Sequence, residues 1–185
     1  MHLTTFDASQ LLAAKQLLDL QFGVDYLTEQ DLLLFTQGKH IGWVACSTEG
    51  ELIGISLVKL GTAASLAAEL LIEKDWFVST FRDKEPIALR KHLAIAPQWQ
   101  GKGIGKKLVQ HGIEQLRQLN SSAIVSIVWK ESAGKSLGKL LKNLGATPVR
   151  TIAGYWKSDS LEKQYDCPVC GLPPCSCSAT IYVIE

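Results

Sequence analysis

The chain has 185 residues, of which 46% are hydrophobic and 20% charged, a composition typical of one globular domain over residues 1–185. Its 19 Lys and Arg residues nearly balance its 18 Asp and Glu residues. No excess of positive charge attracts nucleic acid or a membrane surface, so we expect neither as a partner. The sequence has no apolar run of the ~20 residues that a membrane helix needs and no secretory signal at its start, which predicts a cytoplasmic protein.

The first sixty residues predict a strand, two helices and a hairpin. A strand over residues 2–6 precedes a helix that Asp7 caps, and Thr28 begins a second helix. Two β-rich runs, 41–46 and 52–60, flank a polar Thr-Glu-Gly-Glu turn and predict the hairpin.

The rest of the chain alternates between helical and strand patterns. The predicted elements are a helix over 62–74, a strand over 87–96, a helix that runs to residue 120, a strand over 123–129, a helix over 132–144, and strands over 147–156 and 179–184. This order predicts a mixed α/β (α+β) fold in which helices cover a largely antiparallel central sheet.

A glycine-rich stretch from Gln98 to Lys107 joins the strand over 87–96 to the following helix. Glycines let the backbone approach an anion closely, and the free N–H groups of a helix start carry partial positive charge, so a phosphate group can bind there. A dinucleotide fingerprint would need a glycine at Lys106, and a P-loop around Gly134 would need one at Trp129. Both of these motifs are therefore excluded.

Residues 100–105 match the pattern Gln/Arg-x-x-Gly-x-Gly/Ala and follow strand residues 93–97. This combination resembles the acyl-CoA-binding motif of the GNAT superfamily of N-acetyltransferases, and the order of elements is similar to the GNAT fold. The resemblance implies that acetyl-CoA is the cosubstrate, with its pyrophosphate on the loop backbone and its pantetheine arm along the strand. The implied contacts come from Leu93, Ala94, Ile95, Gln100, Gly101, Lys102, Gly103, Ile104, Gly105 and Lys106.

The same resemblance implies transfer of an acetyl group to a primary amine on a small molecule or a peptide. The thioester would lie where the strands over 87–96 and 123–129 diverge, with the N–H of Ile95 as a candidate oxyanion donor. The acceptor and the oligomeric state stay open, a homodimer included. Leu141 occupies the position of a tyrosine acid found in many family members. A second hypothesis therefore stands beside the first: a non-catalytic CoA-binding sensor or protein-interaction module.

The residue that removes a proton from the amine is not evident in the sequence. Weak candidates are Glu85, which precedes the strand over 87–96, Glu131, which follows the strand over 123–129, and Tyr155. Regular alternation along the strand predicts that His92 faces away from the thioester.

Four of the five cysteines lie within a short segment near the C-terminus, over residues 165–178. We interpret this segment as an insertion in the terminal hairpin that holds a structural zinc ion, because four thiolates match tetrahedral zinc. Disulfides, free thiols or an iron centre are the alternatives. The proposed ligands are Cys167, Cys170, Cys175 and Cys177. Cys46 stands alone in a β-rich run and is expected to be a small buried residue.

Overall fold

A computed structural model describes residues 1–38, 40–130 and 137–185. Its strands in chain order are β1 (His2–Thr5), β2 (His40–Cys46), β3 (Leu52–Gly61), β4 (Ile87–Ile95), β5 (Ala123–Trp129), β6 (Thr147–Ile152) and β7 (Ala179–Ile184). They form one sheet in the order β1-β2-β3-β4-β5-β7-β6. Within the described residues, β4 and β5 are the parallel pair and the other neighbours are antiparallel. The predicted mixed, largely antiparallel sheet is therefore confirmed.

Helices cover both faces of this sheet. They are α1 (Leu11–Phe22), α2 (Glu29–Leu33), α3 (Ala63–Ala67), α4 (Lys74–Phe81), α5 (Ile104–Gln118), α6 (Leu137–Asn143) and α7 (Lys157–Lys163). The predicted caps at Asp7 and Thr28 both form reciprocal capping boxes, which satisfy backbone N–H groups at the start of each helical segment. Among the helices described, none combines the length and the apolar character needed to cross a membrane.

Two apolar layers hold the helices on the sheet. On one face, Leu108 and Leu116 of α5 and Leu141 of α6 pack against the strands. On the other face, α3 and α4 pack beside α1 and α2 in two adjoining clusters. The sheet is therefore buried on both sides, which explains why β2 and β5 are nearly continuous apolar runs.

The clearest differences from the predicted elements concern one helix and one strand. The single helix expected over 62–74 is replaced by α3 and α4, which are separated by a bend that buries Leu70 in the core. The strand expected over 147–156 ends at Ile152, because Gly154 takes a left-handed φ of 60° and turns the chain into α7. In both places tertiary packing prevails over local propensity.

Candidate active site

The glycine-rich loop adopts the shape of an anion site at the start of α5. Gly101 and Gly103 have left-handed φ angles of 75° and 79°, and Gly103 is the residue at which the helix begins. No side chain caps this helix start, so its first N–H groups are open to a ligand. Gln100 folds back and donates from Nε2 to the carbonyl of Ile95 at 3.1 Å, which fastens the loop to the end of β4.

Strands β4 and β5 pair at one end and diverge at the other. Their ladder runs from the pair Ile87–Ala123 to the pair Arg90–Ser126, while β4 continues against β3 to Ile95. At the last pair, Arg90 Nη1 donates to Ser126 Oγ at 3.3 Å. The guanidinium of Arg90 is buried, and its desolvation lowers the pKa of Arg90 to about 10. The two strands thus form a wedge with a buried cation at its apex.

The backbone of β4 offers hydrogen-bonding groups to the open side of this wedge. The N–H of Ala96 donates to the carbonyl of Ile53 in β3 at 3.0 Å. Because successive N–H groups of a strand point in opposite directions, the N–H groups of Ile95 and Leu93 point toward the wedge. This direction is the one that an added strand-like pantetheine arm would need.

A β-bulge in β4 places Lys91 beside His92 on the same face of the sheet. Leu57 of β3 pairs with His92, whereas the next residue, Val58, pairs with Arg90, so Lys91 is an extra residue in β4. Lys91 and His92 consequently lie on the same face of the sheet. The regular alternation expected from the sequence fails at this point, and His92 lies on the cavity wall.

A cavity of about 990 Å³ connects the loop, the wedge and the segment beyond it. Gly103, Gly105 and Lys106 line its loop end, and residues of both diverging strands line its middle. Beyond His92 its walls are aromatic rings and cysteines. Because its lining includes both the open start of α5 and the aromatic rings, this cavity could hold an elongated ligand with an anionic end.

Most residues that the motif implicates in acyl-CoA binding line this cavity. They are Leu93, Ile95, Gln100, Gly101, Gly103, Ile104, Gly105 and Lys106. Two others lie elsewhere. The side chain of Ala94 is buried in the core beside α1, and Lys102 places its Nζ 4.6 Å from the centre of the Trp99 ring.

The electrostatic environment keeps His92 neutral. It is 5% exposed, and burial together with the positive charges of Lys91, Lys59 and Lys163 lowers its pKa well below 6.5. Its Nδ1 is buried without a hydrogen-bond partner among the described residues. Lys91 beside it donates from Nζ to the carbonyl of Glu69 at 2.9 Å, and burial lowers the pKa of Lys91 to about 8. A neutral imidazole on the cavity wall can accept a proton.

The three weak catalytic candidates from the sequence lie away from this cavity or outside the described residues. Glu85 accepts a hydrogen bond from the N–H of Ala63 at 2.6 Å, which satisfies the start of α3. Tyr155 lines a neighbouring small pocket, where its hydroxyl accepts a long hydrogen bond from the N–H of Leu71, and burial raises its pKa to about 12. Glu131 lies outside the described residues.

The aromatic end of the cavity is a feature that the sequence analysis missed. Tyr26 contacts His92 edge to face at 5.7 Å and Tyr165 at 5.0 Å, measured between ring centres, and Phe22 contacts both Tyr26 and His92. Trp156 donates from Nε1 to the Tyr26 hydroxyl at 3.2 Å. These rings come from distant parts of the chain, so no local pattern marks them as one wall.

The four clustered cysteines are arranged to hold one ion. Their sulfur atoms all lie within 4.8 Å of one another, and none forms a disulfide. Cys170 and Cys177 are 3.4 Å apart, and Cys167 and Cys177 are 3.8 Å apart. Four thiolates bound at ~2.3 Å around a tetrahedral zinc ion would be about 3.8 Å from each other. The donor set and its spacing therefore fit such an ion.

The cysteine segment is tied to the walls of the cavity. The N–H of Cys175 donates to Ser160 Oγ of α7 at 2.8 Å, and the carbonyl of Cys177 accepts from the N–H of Tyr155 at 3.0 Å. At the end of α1, a Cβ on Gly23 would come within 2.1 Å of the carbonyl oxygen of Asp166, so only glycine permits this close approach. The segment thus joins α1 and α7 around the aromatic end.

Solved acetyltransferase structures share this fold at low sequence identity. The ribosomal-protein-S18-alanine N-acetyltransferase from Escherichia coli is 13% identical, with a TM-score of 0.68 over 99% of this chain and 92% of that one. NAA60 from Arabidopsis thaliana, solved with acetyl-CoA, is 14% identical, with a TM-score of 0.69 over 99% and 98%. The IAA acetyltransferase from Bacillus cereus is 20% identical, with a TM-score of 0.66 over 100% and 98%.

Sequence comparison identifies the family. No curated protein matches the chain at a significant level. The sequence model of the acetyltransferase (GNAT) family matches residues 11–145, which include β2 to β5, the glycine-rich loop and α5. The chain therefore belongs to the GNAT family of acetyltransferases, which use acetyl-CoA to acetylate amines.

Proposed function

We propose that this protein binds acetyl-CoA along the cavity and transfers the acetyl group to an amine that enters from the aromatic end. The observation that carries this proposal is the continuity of the cavity, which joins the open start of α5 to the neutral imidazole of His92. The loop N–H groups from Gln100 to Lys106 would bind the pyrophosphate, and the β4 backbone near Ile95 would hold the pantetheine arm.

In this proposal His92 removes the proton that prevents the acceptor from attacking. An alkylammonium has an ordinary pKa of about 10.4, so the nucleophile is mostly protonated at neutral pH. His92 is neutral, lines the cavity and has no described hydrogen-bond partner at Nδ1. Because its lowered pKa makes it a weak base, we propose that His92 acts as a relay, which takes the proton from the ammonium, directly or through one water molecule, and passes it on to solvent.

The rest of the reaction needs few further groups. The free amine attacks the thioester carbonyl, a C–N bond forms, and the negative charge on oxygen is stabilised by a backbone N–H of β4, with Ile95 as the candidate. The intermediate then collapses, the C–S bond breaks, and CoA leaves as a thiolate that gains a proton from the medium. Buried Leu141 cannot supply that proton, and a thiolate is a fair leaving group without an acid.

We further propose that Cys167, Cys170, Cys175 and Cys177 bind one structural zinc ion. The distances between the thiols support a tetrahedral site, and the use of all four positions by protein ligands leaves none for substrate. The role of the ion would be to hold the segment that closes the aromatic end of the cavity.

The decisive experiment measures thiol release from acetyl-CoA in the presence of a panel of amines and peptides. We expect acetyl-CoA to raise the melting temperature and CoA to appear only with an acceptor present. Tight acetyl-CoA binding without turnover on any acceptor would instead support the CoA-binding sensor or interaction module.

A further inference from the structure

The aromatic end of the cavity has the chemistry of a binding site for a ring. We call Phe22, Tyr26, His92, Trp156 and Tyr165 the aromatic chamber. All five line the cavity; the rings of Phe22, Tyr26, His92 and Tyr165 meet in tilted or edge-to-face contacts, and Trp156 donates a hydrogen bond to the Tyr26 hydroxyl. Such a wall presents ring faces and edges against which a flat apolar group stacks favourably.

The rim of the chamber continues this apolar character. Leu20 lines the same cavity although it is 63% exposed, and so does Val169 of the cysteine segment, which is 49% exposed. An acceptor that carries an apolar body would cover these side chains as it enters. The apolar part of the acceptor would thus contact apolar side chains from the rim of the cavity to His92.

The charges near the chamber disfavour a second ammonium group. Lys91 lies next to His92, and Lys163 already places its Nζ 5.9 Å from the centre of the Tyr26 ring. Among the described residues that line the cavity, none is Asp or Glu. Asp159, in the adjoining small pocket, is paired with Lys163 at 2.9 Å. A further cation in the chamber would therefore lie near Lys91 and Lys163 without a carboxylate partner, and the proposed zinc ion would already offset part of the charge of the thiolates that line the cavity.

We propose that the acceptor is a monoamine attached to an aromatic ring, and that the aromatic chamber binds this ring while the amine points to His92. This inference rests on the proposed acetyl transfer and names the class of acceptor for that same site. The proposed site would favour such amines over polyamines, because the chamber has no carboxylate among its described lining residues to pair with a second ammonium group.

The test compares phenethylamine, butylamine and putrescine as acceptors in the thiol-release assay. The ring contacts should give phenethylamine a kcat/KM about tenfold or more above that of butylamine, with putrescine at or below butylamine. Equal or better use of putrescine than of phenethylamine would overturn the proposal.

Two variants on the same helix sharpen this test. Phe22→Ala removes one wall of the chamber and should reduce the ratio of the kcat/KM for phenethylamine to the kcat/KM for butylamine. Leu12→Ala is the matched control, because Leu12 is 64% exposed on α1 and does not line the cavity. An unchanged preference in Phe22→Ala would count against the chamber as the ring site.

A binding measurement separates this inference from the proposed function. Trp156 lines the chamber, so its fluorescence reports on a bound ring even without turnover. If no amine is acetylated, the proposed function fails. The acceptor class is then decided by whether phenethylamine, and not putrescine, changes the fluorescence of the protein saturated with CoA. No change with phenethylamine would overturn the inference.

Discussion

Trp156 Nε1 donates a hydrogen bond to the hydroxyl of Tyr26 at 3.2 Å, and this bond joins two segments that are 130 residues apart in sequence. One segment follows α1, and the other leads into α7 and the cysteines. The bond therefore links the N-terminal half of the chain to the wall that closes the aromatic chamber.

Replacing Tyr26 by Phe should destabilise the protein without changing its fold. The substitution leaves the half-buried indole N–H of Trp156 without its acceptor, which costs about 0.5–1.5 kcal/mol of unfolding free energy. Denaturation in urea measures the change. Tyr182→Phe serves as the control, because no hydrogen bond to the Tyr182 hydroxyl is found among the described residues. Equal destabilisation by the two substitutions would show that the hydrogen bond to Tyr26 does not contribute to the free energy of unfolding.

Adding a side chain to Gly103 should weaken acetyl-CoA binding. Gly103 has a φ of 79° and open space where a Cβ would stand, so a valine there would occupy the place of the incoming phosphate. Gly50→Val is the matched control, since Gly50 has a φ of 86° and equally open surroundings in the turn between β2 and β3. Both variants carry the same backbone strain of about 1–2 kcal/mol. Calorimetry should find weaker acetyl-CoA binding in Gly103→Val alone. An equal loss of acetyl-CoA affinity in Gly103→Val and Gly50→Val would exclude the loop as the phosphate site.

Replacing His92 by Gln should slow the reaction more than it affects substrate binding. Loss of a general base lowers kcat by about 100- to 10,000-fold, while the KM for acetyl-CoA should change little. The measurement is steady-state kinetics across pH. Because burial lowers the pKa of His92 well below 6.5, the parent enzyme should not lose activity as an ordinary histidine titrates. A kcat for His92→Gln close to that of the parent would remove His92 from the mechanism.

The same histidine should make stability depend on pH. In the unfolded chain His92 binds a proton below 6.5, whereas the folded state resists protonation, so the unfolded state holds more protons in this range. The parent protein should therefore lose unfolding free energy relative to His92→Gln as the pH falls below 6.5. Parallel stability curves for the two proteins would contradict the burial of a neutral imidazole.

Metal analysis should find about one zinc ion per chain when the protein is purified in reducing buffer. Cys170→Ala should lose the metal, while Cys46→Ala should keep it, because Cys46 is buried far from the cluster. At free zinc 1,000-fold above its dissociation constant the ion contributes about 4 kcal/mol. Its loss should lower Tm by roughly 8–16 °C for a chain of this size. A metal content well below one per chain would reject the site.

Local chemistry in the sequence was sufficient to predict most of the fold and part of the site. The caps at Asp7 and Thr28, the glycines at 101 and 103, and the spacing of the cysteines all act through neighbours within a few residues. Each of these features is therefore visible in a short window of sequence.

The parts that the sequence did not predict depend on contacts between distant segments. Lys91 is recognised as an extra residue only when β4 is paired with β3, because the sequence of β4 alone predicts an ordinary strand. The aromatic chamber needs Phe22 and Trp156 to meet across the cavity, and the break between α3 and α4 follows from the burial of Leu70. None of these relationships leaves a local signal.

The bulge at Lys91 has a consequence for how such a cleft can originate. Without Lys91, the residues on either side of it in β4 would still face the directions they face now, since one extra residue on one face is all that the bulge adds. Removing Lys91 would therefore straighten the strand and take one cationic side chain away from the cavity wall, while His92 kept its direction. A cleft of this kind can thus gain or lose a charged wall residue through one added residue in a strand, without reversing the buried apolar residues on either side of it.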